Sequence, residues 1–118
     1  MREIKFRAWD KQTGDWLHLN TESTEWYNKR TGVFREFFDK HVHLMQYTGL
    51  KDKNGQEIYE GDIIRFYDSL VSSFLVGVVD FKDGSFVIVS DGATHYRWMD
   101  YDLEVIGNIY ENRELLSA

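Results

Sequence analysis

Residues 47–64 read YTGLKDKNGQEIYEGDII, and the fold turns on whether this run is a site or a folding instruction. It parses as hairpin grammar. Leu44 to Leu50 is apolar enough for a strand, KDKNGQ holds Asn54-Gly55, a strong short-range hairpin signal, and EIYEGDIIRFY resumes strand character. Gly61 breaks the second strand as a bulge or bend, and Asp62 beside it can accept local backbone N–H bonds before Ile63, Ile64 and Phe66 enter the core. Asn54, Gly55, Gly61 and Asp62 therefore read as structural. Lys51, Asp52, Lys53 and Glu57 read as a solvated tip.

Downstream, FLVGVVDF, a KDG turn and FVIVS form the clearest hairpin, and SDGATHYRWMDYD reads as a polar loop or edge segment. LEVIGNIYE is a last strand, and NRELLSA can close the chain with one helical turn. Upstream, Ile4, Phe6 and Ala8 alternate with Lys5, Arg7 and Trp9, which puts the aliphatic set on one face of a first strand. DKQTGD then turns the chain at Gly14 into a return strand holding Trp16, Leu17 and Leu19. Residues 20–45 admit two readings: a strand pair turning at Asn28 to Gly32, or a short helix over VFREFFDKHVHLM with Phe34, Phe37 and Phe38 at helical spacings. Because NKRTG echoes the KQTG turn, strands are favoured. Short strands at roughly ten-residue spacing with Gly-bearing turns predict a mainly β barrel or roll.

The chain of 118 residues is one domain in size, and with neither Pro nor Cys it has no proline-rich linker, thiolate or disulfide. A reducing, cytoplasmic setting fits. MREIKFRAWD lacks the apolar run of a secretory signal, and the least polar stretch, residues 69–81, is shorter than the ~20 residues a spanning helix needs. Net charge is -6, and it is unevenly placed: eight basic and seven acidic groups in residues 1–50 give +1, whereas six and thirteen in residues 51–118 give -7. That balance disfavours nonspecific binding to nucleic acid or anionic lipid.

REIKFRAWD, QYTGLKDKNGQEIYEGDII and LEVIGNIYEN, together about a third of the chain, occur in this order in the YopX family of phages and prophages, and the chain resembles that family. The resemblance implies a mostly β protein with an N-terminal β subdomain, residues 1–45, and an SH3-type barrel, residues 46–118. It implies no known activity. Arg113 stands where family members often carry Pro.

Three constellations remain to be weighed. Asp39, His41 and His43 would share a strand face and could hold a divalent metal, although solvated edge residues look the same. Glu60 and Asp62 could serve as paired acids, yet the turn reading explains them without chemistry. No nucleophile elbow, P-loop or dinucleotide fingerprint is present, so neither catalysis nor a cofactor is implied. Nucleic-acid binding would draw on Arg2, Lys5, Arg7, Lys29, Arg30 and Arg35, and is disfavoured by the acidic second half. Protein association or self-assembly is favoured by the large aromatics Trp9, Trp16, Trp26, Trp98 and Tyr101, with Trp16 read as core. Tyr96, Trp98 and Tyr101 in the YRWMDYD loop are the interface candidates. The expectation is a non-enzymatic cytoplasmic binding protein.

Overall fold

The computed structural model describes residues 4–96 and 102–116. Among the described residues there are twelve strands: β1 Phe6–Asp10, β2 Asp15–Trp16, β3 His18–Asn20, β4 Glu25–Tyr27, β5 Phe34–Arg35 and β6 Val42–Lys51, then β7 Glu57–Tyr59, β8 Asp62–Asp68, β9 Ser73–Lys82, β10 Ser85–Ser90, β11 Ala93–His95 and β12 Leu103–Asn108. A 3₁₀ turn, Arg113–Leu116, follows. The described chain is mainly β, and residues 20–45 are strands rather than helix: β4 pairs with β5 through Trp26 opposite Arg35 and Tyr27 opposite Phe34.

The chain divides into two compact units between Gln46 and Tyr47, with Ile4 grouped with the later one. In the earlier unit β1 pairs with β2 and with the first half of β6, and β3, β4 and β5 form an antiparallel meander. Ala8, Leu17 and Trp26 form its core, against Phe37, Val42 and Leu44. In the later unit the second half of β6 pairs with β7, and a five-stranded antiparallel sheet runs in the order β11-β10-β9-β8-β12. Ile58, Ile64, Phe66, Val79, Phe86, Ile88 and Leu103 are its core.

One turn device recurs, and it explains why KQTG and NKRTG look alike. At Asp10, Asn20, Asn28 and Asn108 the side-chain Oδ1 accepts the N–H groups two and three residues on, while the backbone carbonyl accepts the N–H four residues on. Short Asx side chains can satisfy these otherwise unpaired donors from within the turn. The fifth residue closes the loop at positive φ in three copies, with Gly14 at 75°, Gly32 at 76° and Thr24 at 59°.

The hairpin at residues 51–57 departs from the expected form. Of its Asn54-Gly55 pair only Gly55 has positive φ, at 83°. Asp52 is the reason: its Oδ1 accepts from the N–H groups of Asn54 (2.8 Å) and Gln56 (2.9 Å), and its carbonyl accepts from Gly55 N–H at 3.0 Å. A three-residue loop with Gly in the left-handed position results. Asp52 is not solvated, as its second oxygen accepts from Val105 N–H on β12 at 2.9 Å and the residue is buried. Burial alone would raise its pKa; the N–H groups of Val105, Gln56 and Asn54 outweigh this and hold the carboxyl below its ordinary value. Two-residue turns with both central residues at positive φ occur instead at Asp83-Gly84 and Asp91-Gly92.

Gly61, at φ 83°, separates β7 from β8 as the bend reading expects, and Asp62 Oδ2 accepts from Tyr59 N–H at 2.8 Å. The first strand departs from its pattern: Ala8 is buried, but Ile4 is 71% exposed and Phe6 also faces solvent. Trp9 and Asp10, on alternate faces, are both buried. Trp9 meets Trp16 edge to face at 4.9 Å, and Asp10 is covered with its partner Arg35.

Candidate docking surface

The apolar run FLVGVV on β9 supplies both faces of that strand. Leu75 and Val79 belong to or pack on the core, while Phe74, Val76 and Val78 alternate onto the opposite face. Continuous apolar strands are ordinarily covered on both sides. Here the second face joins an apolar hairpin tip at one end.

The β8–β9 pairing ends at Tyr67 opposite Phe74 and Asp68 opposite Ser73. Asp68 Oδ1 accepts from Leu70 N–H at 2.9 Å and Ser72 turns back at φ 50°. The reversal leaves Leu70 91% and Val71 58% exposed, flanked by Phe74 at 56% and Tyr67 at 42%. Tyr67 and Phe74 meet edge to face at 5.3 Å, and the Arg65 guanidinium lies 4.4 Å from the Phe74 ring centroid. The rings are thereby held in place, while Leu70 and Val71 stand out from the fold.

Beside the tip is a groove of about 500 Å³, with Phe74, Val76, Val78, Val89, Leu115 and Leu116 among its walls. Ser90 and Asp91 supply its polar lining, and the Ser90 hydroxyl is turned to the Val76 carbonyl at 2.8 Å. The volume lies within the range of small-ligand or side-chain pockets.

The residues singled out in the sequence fall elsewhere. Asp39 and His41 sit in the turn before β6, with Asp39 Oδ1 accepting from His41 N–H at 2.7 Å, and only His43 is in the strand, opposite Trp9. The shared strand face is therefore not formed, and no group of three His, Cys, Asp or Glu suited to a metal occurs among the described residues. Glu60 lies in the β7–β8 turn and Asp62 is buried, its carboxylate engaged by Tyr59 N–H.

Two cations of the nucleic-acid set are committed. Arg30 Nη2 bonds Asp15 Oδ2 at 2.7 Å, and Arg35, almost covered, bonds Asp10 at 2.9 Å and Gln12 at 2.6 Å and lies 3.6 Å from Asp39. Hydrogen bonds from Arg30, then Asn28 and Thr13, hold the Asp15 carboxyl well below the usual range. Burial would raise the Asp10 pKa, but Arg35 and the Gln12 and Thr13 N–H groups together lower it. Of the aromatic candidates, Trp26 is buried against Phe37, Trp16 is half-buried, and Tyr96 is exposed after β11. Trp98 and Tyr101 lie outside the described residues.

Sequence reasoning missed the tip because SLVSSFLVGVVDF reads as a strand from Phe74 onward and as too short for a spanning helix, which leaves Leu70 and Val71 without a place. The available signal is Leu70-Val71 in a hairpin loop, where polar turn residues belong.

The fold and this surface define the class: a mainly β protein of two compact units with an apolar hairpin tip. The YopX protein family matches residues 5–117, and the chain belongs to that family. It is similar along its length to two crystal structures. Protein EF1440 from Enterococcus faecalis is 28% identical, with 98% of this chain and 99% of that one covered and a TM-score of 0.62. Protein yopX from Bacillus subtilis shares the fold at 24% identity, with 98% and 99% covered and a TM-score of 0.55. No curated protein matches.

Proposed function

We propose that this YopX-family chain is a phage- or prophage-encoded accessory protein that acts by docking to protein and catalyses no reaction. The observation that carries the reading is the hairpin tip, where Leu70, Val71, Tyr67 and Phe74 expose apolar surface together on a hairpin pinned by Asp68. Isolated exposed apolar residues are ordinary, but a cluster on a rigid turn is what an interface anchor looks like. Its occupant is an apolar cavity on a protein surface. The order β11-β10-β9-β8-β12, a four-strand meander whose first strand is rejoined by the last, supports reading the later unit as an SH3-type small barrel.

The test places a photo-crosslinking amino acid at position 71, and separately at Glu22 as an exposed control in another turn, in bacterial cells producing the protein. Crosslinking to protein from position 71, with little from position 22, is the expected result. Equal yields, or none from the tip, remove the reading.

A further inference from the structure

We propose that the groove beside the tip receives a short apolar segment of a partner protein that carries a lysine or arginine, with the aliphatic stem of that side chain along the valines and its charged head on Asp91. This adds a second contact to the docking reading above and rests on it for the partner being a protein. The lining sets the chemistry. Val76, Val78, Val89, Leu115 and Leu116 supply the apolar part. Of the polar side chains, the Ser90 hydroxyl is committed to the Val76 carbonyl at 2.8 Å, which leaves the Asp91 carboxylate. An aliphatic trough with one carboxylate suits a side chain that joins a long apolar stem to a cation, and only Lys and Arg are built so.

Asp91 is the informative residue. Asp10, Asp52 and Asp68 are used up within their own turns, where each accepts from backbone N–H groups. Asp91 stands in a two-residue turn at φ 47°, and among the described residues its carboxylate accepts no hydrogen bond and meets no cation. Strand register brings it to the groove, since Val89 pairs with Val78 and Asp91 follows two residues on. Arg65, on the far side of β9, is engaged elsewhere, with its guanidinium over the Phe74 ring at 4.4 Å. Charge at longer range points the same way. Residues 51–118 carry -7, so this part of the chain attracts a basic segment and repels an acidic one, a second copy of the chain at -6 included.

Selection of a phage-displayed random octapeptide library on the full-length protein tests this, with the enriched peptides resynthesised and titrated by fluorescence anisotropy. They are expected to place a Lys or Arg next to aliphatic residues and to bind more weakly as salt rises. Asp91→Asn is expected to weaken them at least ~3-fold, the measure of one exposed charge pair. Leu116→Ala, which shortens an apolar wall of the groove, should weaken them as well. Asp83→Asn is the control: it makes the same charge change in the other two-residue turn, at φ 52°, and should leave binding unchanged. No enriched peptide, enriched peptides without a basic residue, or binding indifferent to Asp91→Asn overturns the proposal. The two readings fail separately. Peptides that ignore Asp91, together with crosslinking from position 71, keep docking at the tip and lose the basic segment, whereas Asp91-dependent peptides with a silent position 71 keep the groove and lose the tip.

Discussion

At the scale of single residues, buried Asx side chains do much of the specifying. Asn28 satisfies four groups: its Oδ1 accepts from Arg30 and Thr31 N–H, and its Nδ2 donates to Thr13 Oγ1 at 3.1 Å and Asp15 Oδ2 at 2.9 Å. Asn28→Ala leaves these partners, of which Thr13 and Asp15 are half-buried, without it, and we expect a loss of about 1–3 kcal/mol in urea unfolding, the ordinary cost of abandoned polar groups. Asp10 and Arg35 form a covered pair, so Arg35→Met strands a carboxylate and should cost about 3–5 kcal/mol. The pH dependence follows from the same groups. Asp10 and Asp52 have folded pKa values below their ordinary 3.8, so the stability they contribute is present above that value and is lost as pH falls through and below it. The urea midpoint should therefore be flat near neutrality and drop below about pH 4. A midpoint that rises on acidification would contradict these assignments.

At the scale of elements, close approach at a glycine is the sharpest feature. A Cβ on Gly77 would lie 2.6 Å from Ile88 Cγ2 and 2.7 Å from the Val89 carbonyl oxygen. Since the backbone cannot step aside, Gly77→Ala should destabilise by roughly 1–3 kcal/mol, measurable as a lowered unfolding midpoint. In sequence the same glycine is only an interruption in an apolar run. Much of the strand pattern was legible: the KDG and NKRTG turns, the bend at Gly61 and the final strand all follow from turn chemistry and period-two alternation. What was not legible depends on distant partners. Asp52 looks solvated until Val105 on β12 is brought to its carboxylate, and Ile4 and Phe6 look like core although both lie at the surface, Phe6 with its ring edge to face with Phe37. Likewise, Asp39, His41 and His43 alternate correctly for a shared face, but the bond from His41 N–H to Asp39 holds the first two in a turn.

At the scale of the whole molecule, the two compact units differ in what they can do. Residues 5–46 invest their arginines and buried Asx groups in structure, through Asp15–Arg30 and Asp10–Arg35. The later unit carries the net acidity, the uncharged tip and the groove. The aromatics of YRWMDYD are conspicuous because large rings stand out in sequence, whereas Leu70 and Val71 become conspicuous only when the hairpin places them outside both faces of the sheet. The absence of Cys makes the central claim, that the tip docks to protein, accessible to trapping, because every thiol is an introduced one. A Val71→Cys chain and a Glu22→Cys chain, each labelled with a thiol-reactive photo-crosslinker, are exposed to bacterial lysate. Docking through the tip predicts crosslinks to protein from position 71 well above those from position 22. Equal yields, or none from position 71, would contradict it.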